Sequence, residues 1–360
     1  MSTSPRPGLA ALRACPHGSL STREAGEGGL GAVLDFSASC NPLGASPLVP
    51  RALAAVDPAH YPDDDCRLLR RVLAKRAGVA AENVVVGNGS VEIIWLLATA
   101  YLRPGDTALV VGPTFGEYMR AAAIAGANTV EWRAAEADGF AVHPDGVANA
   151  ILEIRPRLVF LCNPNNPTGT YLRRQAVAAV LAACHHSLLV VDEAYLPFVT
   201  QSDDLVDLVG RDLVLLRSLT KDRGLAGLRL GYALAAPEVV EALLAVKAPW
   251  SVSAAAQVAG LAALADDQHV ARGVAEAAAA KAYLAAELAR LGLAVRPSAA
   301  NFLLVHVGDG RAFREALLRR GCCLRDCTSF GLPEYVRIGM KTVADCRRLV
   351  AAVEEELHDC

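Results

Sequence analysis

The middle of the chain alternates short apolar runs with longer stretches of helical periodicity. Between residues 83 and 218, six apolar runs have the length of a strand and consist mostly of leucine and β-branched residues: NVVVG, TALVVG, NTVEWR, RLVFLC, SLLVVD and DLVLLRS. Runs that are apolar on both faces and alternate with helices are typical of a parallel sheet that is covered on both sides. We therefore predict an α/β fold with a mainly parallel sheet and helices on both of its faces.

The flanks differ from this pattern and divide the chain into three parts. Residues 1–34 are rich in glycine, proline, serine and charge, which predicts an N-terminal arm with one short helix capped at Ser21 and Glu24. We place the large domain at residues 35–250. Residues 251–360 begin with alanine-rich helical stretches and continue with the strand patterns ANFLLVHV and YVRIGM, so they predict a smaller α+β domain.

The composition excludes several classes of protein. Of the 360 residues, 53% are hydrophobic and 20% are charged, with a formal net charge of -3, so neither a disordered chain nor a nucleic-acid-binding surface is indicated. The ten cysteines show no C-x-x-C spacing, which argues against a metal site and favours free thiols in a reducing compartment. Because we find no long apolar run and no secretory signal pattern, we expect a cytoplasmic protein that binds neither membranes nor nucleic acid.

One lysine is distinguished by its neighbours. In LRSLTKDRGLAGLRLGY, at residues 216–232, Lys221 follows Ser218 and Thr220, and Arg229 lies eight residues further on. Two hydroxyls and a guanidinium suit a phosphate group, and a desolvated lysine can lose its proton and condense with an aldehyde. For this motif taken alone, the alternative is an ordinary lysine at a strand end.

Two strand ends carry groups that suit a flat, phosphorylated ligand. The sequence GNGS at residues 87–90 joins a strand to a helix, where glycines let an anion approach the backbone and the helix start provides free N–H groups. The sequence PTFGEY follows another strand, and its Phe115 could stack on an aromatic ring. Taken alone, either feature could be structural, as a tight turn in the first case and a core phenylalanine in the second.

Two further strand ends carry polar partners for such a ring. The sequence CNPNNPTG, at residues 162–169, contains two Asn-Pro steps that favour a rigid extended turn and let Asn166 donate to a ring oxygen. The sequence VVDEAY, at residues 190–195, ends a buried strand with Asp192, a carboxylate that needs a positive partner when it is buried. A protonated pyridine nitrogen would be such a partner, and Tyr195 could reach the ring hydroxyl. An ordinary Asp-Arg pair is the alternative.

Together these strings resemble the class I and II aminotransferase family of fold-type I pyridoxal phosphate enzymes, from about Asp35 to the C-terminus. The resemblance implies a seven-stranded, mainly parallel sheet in the large domain and pyridoxal 5'-phosphate as the cofactor. It implies that Lys221 holds this cofactor as a Schiff base and that Asp192 pairs with its ring nitrogen. Asn166 and Tyr195 are implied to bond its ring oxygen, and Lys221, Asp192 and Tyr195 to form the catalytic set. The remaining implied cofactor contacts are Gly89, Ser90, Val91, Phe115, Ser218, Thr220 and Arg229.

Within the family the chain is similar to the branch that contains threonine-phosphate decarboxylase, an enzyme of cobalamin synthesis, and histidinol-phosphate aminotransferase. Several strings favour the decarboxylase, namely HG at residues 17–18, DFSAS and NPLG at residues 35–44, LRSLTK, PWSVS and LRDC. The resemblance implies an enzyme that acts on a small phosphorylated amino acid, and we expect it to be most like the decarboxylase, with histidinol-phosphate aminotransferase or a related class I and II aminotransferase as the alternative. A cofactor-binding regulator without catalysis is a remote alternative. Which substrate bond breaks depends on the orientation of the substrate, and this choice stays open in the sequence.

The same resemblance implies how the substrate is held. Its implied contacts are His17, Ser39, Tyr61, Asn166, Arg325 and Arg337. Arginine suits this task because its guanidinium binds a carboxylate or a phosphate through two parallel hydrogen bonds. Tyr61 is implied to come from the partner subunit, so we expect a homodimer with shared active sites. Ser39 stands where the decarboxylase has an asparagine, and this difference bears on the identity of the substrate.

Overall fold

The computed structural model describes residues 33–359 and, within the N-terminal arm, residues 12, 18, 20, 21 and 24. The predicted cap in this arm is confirmed. The backbone N–H of Glu24 donates to Ser21 Oγ at 3.2 Å, and the backbone N–H of Ser21 donates to Glu24 Oε2 at 3.0 Å. Arg314 pairs with Glu24 at 2.5 Å, so this contact attaches the arm to the C-terminal part of the chain.

The strands coincide closely with the apolar runs of the sequence. In chain order they are β1 (Leu34–Asp35), β2 (Val84–Asn88), β3 (Thr107–Gly112), β4 (Asn128–Arg133), β5 (Leu158–Cys162), β6 (Leu188–Asp192), β7 (Leu213–Ser218), β8 (Leu230–Leu234), β9 (Ala294–Arg296), β10 (Phe302–His306), β11 (Cys322–Cys323), β12 (Arg325–Asp326) and β13 (Tyr335–Gly339). The helices from residue 48 onward are α1 (Leu48–Leu53), α2 (Arg67–Ala77), α3 (Ser90–Tyr101), α4 (Glu117–Ala125), α5 (Pro144–Ile154), α6 (Arg174–Ala182), α7 (Pro237–Val246), α8 (Ala254–Leu264), α9 (Asp267–Arg290), α10 (Gly310–Arg319) and α11 (Val343–Asp359). None of the helices in the described part of the chain is long and apolar enough to cross a membrane.

Seven strands form the large sheet, in the order β2-β8-β7-β6-β5-β3-β4. The pairs from β7 to β4 are parallel, whereas β8 pairs antiparallel with both β2 and β7. The predicted seven-stranded, mainly parallel sheet is therefore confirmed. The sequence patterns did not reveal β8, because its sequence LGYAL is short and contains a glycine. Gly231 is needed there, since a Cβ atom would lie 2.4 Å from the backbone nitrogen of Ser90.

Helices cover both faces of this sheet because successive side chains of a strand point to opposite faces. Val84 and Val86 of β2 belong to one apolar core, to which α2, α5, α6 and α8 contribute. Val85 belongs to the opposite core, which α3, α4 and α7 complete. The two faces of the sheet are thus covered, and the ends of its strands are left as the place where a ligand could bind.

A third core lies in the C-terminal part, as the smaller α+β domain requires. Its sheet has four antiparallel strands in the order β12-β13-β10-β9. Helices α9, α10 and α11 contribute the buried side chains Leu284, Leu317 and Leu349 to this core. The predicted combination of a large α/β unit with a smaller α+β unit is confirmed.

The domain boundaries after residues 34 and 250 stay a prediction. Two segments pack on the other side of these boundaries. β1 pairs in parallel with β11, and the fully buried Phe36 lies in the core of the small unit although it belongs to residues 35–250. Conversely, α8 follows residue 250, yet its Ala256 and Ala259 belong to a core of the large sheet. By packing, the chain passes from the large to the small unit between α8 and α9.

Phe36 should anchor the segment after β1 to the small unit. Its side chain is 0% exposed, its N–H donates to the carbonyl of Cys323 at 2.8 Å, and its carbonyl accepts from Gly339 N–H at 2.7 Å. We expect Phe36→Ala to lower the free energy of unfolding by about 3 to 5 kcal/mol through the cavity it leaves. Urea unfolding would measure the loss. Leu152→Ala, at a side chain that is 55% exposed, is the control, and an equal effect of both substitutions would contradict the anchor.

Candidate active site

A cavity of about 430 Å³ lies where the carboxyl ends of the parallel strands meet the small domain, and a narrower recess of about 100 Å³ continues it. Several predicted residues line both parts: Val91, Phe115, Asn166, Tyr195, Lys221 and Arg229. The recess adds Ser90, Asp192, Ser218 and Thr220, and the outer cavity adds Ser39, Arg325 and Arg337. The strand ends therefore bring together residues that are up to 298 positions apart in the sequence.

Lys221 lies between the recess and the outer cavity. It follows the end of β7 closely, and its Nζ lies 5.5 Å from the centroid of the Tyr195 ring. Its backbone carbonyl accepts from the N–H of Asn41 at 2.7 Å, which holds this loop against the segment after β1. The amine is therefore presented to the cavity from a loop that is hydrogen-bonded to this segment.

Asp192 ends β6 at the bottom of the recess and is only 5% exposed. The Tyr118 hydroxyl donates to its Oδ2 at 2.7 Å, and the N–H of Ala194 donates to its Oδ1 at 3.0 Å. Burial raises the pKa of Asp192 above its ordinary value, while these two hydrogen bonds and the charge of Lys221 oppose the rise. A cation placed in the recess would stabilise the carboxylate form.

The opposite side of the recess suits a phosphate group. Gly89 precedes α3 with φ 76° and ψ 161°, a conformation that only glycine adopts readily. A Cβ atom on Gly89 would lie 2.7 Å from Nη2 of Arg229, so the guanidinium packs against bare backbone. The hydroxyls of Ser218 and Thr220 lie 2.7 Å apart nearby. Together with the N–H groups at the start of α3, they form a cradle for an anion.

Phe115 and Asn166 face the cavity from two loops that Asn165 connects. The Asn165 amide donates to the carbonyl of Pro113 at 2.9 Å, and its Oδ1 accepts from the Thr114 hydroxyl at 2.7 Å. The rigid turn predicted from the Asn-Pro steps is thus attached to the turn that carries Phe115. This connection fixes the two walls between which a flat ring would lie.

Two buried arginines form the outer end of the cavity. Arg325 of β12 and Arg337 of β13 are direct partners in the antiparallel sheet, and they are 8% and 5% exposed. Arg337 donates to Asn166 Oδ1 at 2.5 Å and to the carbonyl of Ser37 at 2.6 Å, and Arg325 donates to Ser329 Oγ at 2.6 Å. Because two like charges lie side by side away from water, this end of the cavity favours an anionic group.

Three predicted substrate contacts differ in how the structure places them. Ser39 is 1% exposed and lines the cavity, and its Oγ has no hydrogen-bond partner among the described residues. Tyr61 does not line the cavity of its own chain; it is 80% exposed and stacks on Trp250 with ring centroids 4.6 Å apart. His17 lies outside the described residues, but its neighbour Gly18 lines the cavity.

Tyr118 is a candidate that the strand-end patterns do not reveal. It lies at the start of α4, three residues after Phe115 in the same PTFGEY string. Burial and the neighbouring Asp192 raise the pKa of Tyr118 well above its ordinary value, so the hydroxyl remains a donor. The position of this tyrosine three residues after Phe115 could have indicated a side chain near the cavity. The sequence could not show its partner Asp192, which lies 74 residues further along the chain.

Comparisons with known proteins agree with this arrangement. The family model described as "Aminotransferase class I and II" matches residues 34–353. A histidinol-phosphate aminotransferase of Symbiobacterium thermophilum is 41% identical over 337 residues, which cover 92% of this chain and 92% of that protein. The structure of histidinol-phosphate aminotransferase from Sinorhizobium meliloti in complex with pyridoxal-5'-phosphate is similar with a TM-score of 0.82 and 25% identity, over 89% of this chain and 90% of that one. L-threonine-O-3-phosphate decarboxylase from Porphyromonas gingivalis has a TM-score of 0.80 and 27% identity, over 91% of this chain and 100% of that one.

The cradle at Gly89 can be tested with pyridoxal phosphate. A methyl group there would strain the backbone and displace Arg229, so we expect Gly89→Ala to weaken binding of the cofactor at least roughly tenfold. A fluorescence titration of the apoprotein measures the dissociation constant. Gly227→Ala is the matched control, because a Cβ atom there meets nothing within 4 Å. Equal affinities of both variants would argue against a phosphate cradle at this turn.

Proposed function

Because the chain belongs to the class I and II aminotransferase family and uses pyridoxal phosphate, we propose that it transfers the amino group of histidinol phosphate to a 2-oxo acid. The observation that carries this proposal is the 41% identity to a histidinol-phosphate aminotransferase over 92% of both chains. The buried arginine pair at the outer end of the cavity supports a substrate with an anionic group. The strings that favour the decarboxylase are therefore outweighed by similarity along the whole chain.

The residues of the recess fit the cofactor from end to end. The bare backbone at Gly89 and the guanidinium of Arg229 would hold the phosphate, and Phe115 would lie on a face of the ring. Asp192, whose pKa is raised by burial, would gain the cation it needs in the ring nitrogen. When bound, pyridoxal phosphate takes up the electron pair that a broken bond leaves at the substrate Cα.

Lys221 would bind the aldehyde of the cofactor, and its amine would then serve as the acid and base of the reaction. In transamination the amine would remove the proton from the substrate Cα and would donate it to the aldehyde carbon of the cofactor. The lysine loop is held by Asn41, which keeps the amine within reach of the ring. Asn166 and Tyr195 would hold the ring oxygen and so fix the tilt of the ring.

Arg325 and Arg337 would bind the anionic group of the substrate, whether phosphate or carboxylate. Ser39 Oγ, which has no hydrogen-bond partner among the described residues, lies in the same cavity and offers one more polar contact. Because the arginine pair lines the outer cavity and not the recess that holds Ser90, Ser218 and Thr220, a substrate would lie between the ring and the small domain. This orientation decides which Cα bond stands perpendicular to the ring and breaks.

Decarboxylation of a phosphorylated amino acid is the second candidate. It is supported by the decarboxylase-like strings around residues 35–44 and 324–327 and by the similarity to the decarboxylase of Porphyromonas gingivalis. The same residues would serve both reactions. The difference lies in whether the carboxylate or the hydrogen on Cα stands perpendicular to the ring.

We further propose a homodimer in which Tyr61 serves the partner subunit. Two exposed aromatic side chains, Tyr61 and Trp250, stack on each other outside the cavity of their own chain. Exposed aromatic pairs of this kind are typical of interfaces.

The cytoplasm suits the protein, because the cysteines at positions 66, 162, 184, 322, 323, 327 and 346 are free and buried thiols.

The substrate test offers histidinol phosphate with 2-oxoglutarate and, separately, O-phosphothreonine to the holoenzyme. We expect 2-oxoglutarate-dependent conversion of histidinol phosphate, and no release of carbon dioxide from O-phosphothreonine. Lys221→Ala is the control variant, since it should abolish turnover and borohydride trapping of the cofactor. Release of carbon dioxide from O-phosphothreonine would establish the decarboxylase instead, and trapping on another lysine would refute the role of Lys221.

The shared site can be tested by complementation. Lys221→Ala and Tyr61→Ala homodimers should both have little activity, because each site then lacks one part. When the two chains are co-expressed, random pairing should restore about a quarter of the wild-type sites. Activity of the purified mixture measures this recovery. A mixture no more active than the separate variants would place Tyr61 outside the partner's site.

A further inference from the structure

An arginine of the large domain holds the loop on which the buried Arg325 depends. Arg133 is the last residue of the edge strand β4. Its Nη2 donates to two carbonyls of the small domain, those of Phe330 at 2.9 Å and Gly331 at 3.1 Å. These carbonyls belong to the turn that follows β12, so one guanidinium links the two domains at the rim of the cavity.

The turn that Arg133 contacts also carries two side chains that contact Arg325. Ser329 Oγ accepts from Nη2 of Arg325 at 2.6 Å, and the guanidinium carbon of Arg325 lies 5.2 Å from the centroid of the Phe330 ring. Both Ser329 and Phe330 line the substrate cavity. A shift of the turn would therefore move two groups that contact the Arg325 guanidinium.

The local structure holds Arg133 in place from behind. Both oxygens of Glu131 accept from Nη1 of Arg133, at 3.0 and 3.2 Å. Glu131 itself lies over Gly112, where a Cβ atom would be 2.0 Å from Oε1. A Cβ atom on Gly331 would in turn lie 2.9 Å from Nη2 of Arg133. The absence of a side chain at Gly112 and at Gly331 thus makes room for Glu131 and for the Arg133 guanidinium.

We propose that Arg133 is a positioning residue for substrate specificity, which acts through the turn at residues 328–331 to set the geometry of Arg325. This inference rests on the proposed role of Arg325 in binding the anionic group of the substrate. Arg133 itself does not line the cavity. Its loss should weaken the binding of the anionic substrate and leave the chemistry at Lys221 intact.

The test is a double-mutant cycle on the holoenzyme with Arg133→Ala, Arg325→Ala and the pair, assayed with whichever phosphorylated amine is turned over. We expect Arg133→Ala to raise KM roughly tenfold with kcat within about twofold, as for a lost hydrogen bond to a charged group. In the Arg325→Ala background the same change should have little further effect, because the two residues act in series. Arg133→Lys should recover most of the affinity.

Arg157→Ala is the matched control. Arg157 also lies beside a strand of the large sheet, donates to the carbonyl of Tyr101 at 2.9 Å and pairs with Asp106 at 3.2 Å, so both of these contacts lie within the large domain. Additive effects in the cycle, or a fall in kcat with unchanged KM, would overturn the proposal. If neither phosphorylated amine is turned over, the cycle uses the dissociation constant of inorganic phosphate for the holoenzyme. A failure of the proposed reaction is thereby distinguished from a failure of the role of Arg133.

Discussion

A carboxylate that is buried without a full countercharge determines the organisation of this site. Asp192 lies at the end of a strand whose residues are all buried, and among the described residues the Tyr118 hydroxyl, the Ala194 N–H and the nearby Lys221 oppose the cost of its charge. A protein retains such a group when a ligand supplies the missing cation. In the proposed arrangement the ring nitrogen of pyridoxal phosphate supplies this cation, and the remaining groups of the recess would hold the other parts of that cofactor.

Charges alternate along the cavity in an order that favours a ligand with an anionic group at each end and a cation between them. Arg229 and the start of α3 lie at one end, Asp192 lies at the bottom, and Arg325 and Arg337 lie at the outer end. A phosphate, a pyridinium and a second anion complement this order, whereas a ligand with a cation at either end would meet a like charge. Electrostatic complementarity of this sort contributes more to specificity than to raw affinity.

The two halves of the cavity are also mechanically connected. Asn166 belongs to the turn after β5, yet its side-chain oxygen accepts from Arg337 of the small domain. The segment after β1 joins the same contact, because the carbonyl of Ser37 accepts from Arg337 and Phe36 is buried in the small domain. Hydrogen bonds of Arg337 therefore connect the recess to the outer cavity, so a displacement of Asn166 would also displace Arg337.

The sequence alone determined most strands of the large sheet, the candidate site residues at their ends and the order of both along the chain. Apolar runs located six of the seven strands of the large sheet, and the strings at their ends placed Lys221, Asp192 and Asn166 at one edge, because carboxyl ends of parallel strands meet there. Only the tertiary structure decided which distant groups touch. The antiparallel β8, the hydroxyl of Tyr118 on Asp192 and the register that sets Arg325 beside Arg337 all depend on pairing between elements. Local patterns report burial and periodicity, but a contact between residues far apart in the chain exists only once the elements have packed.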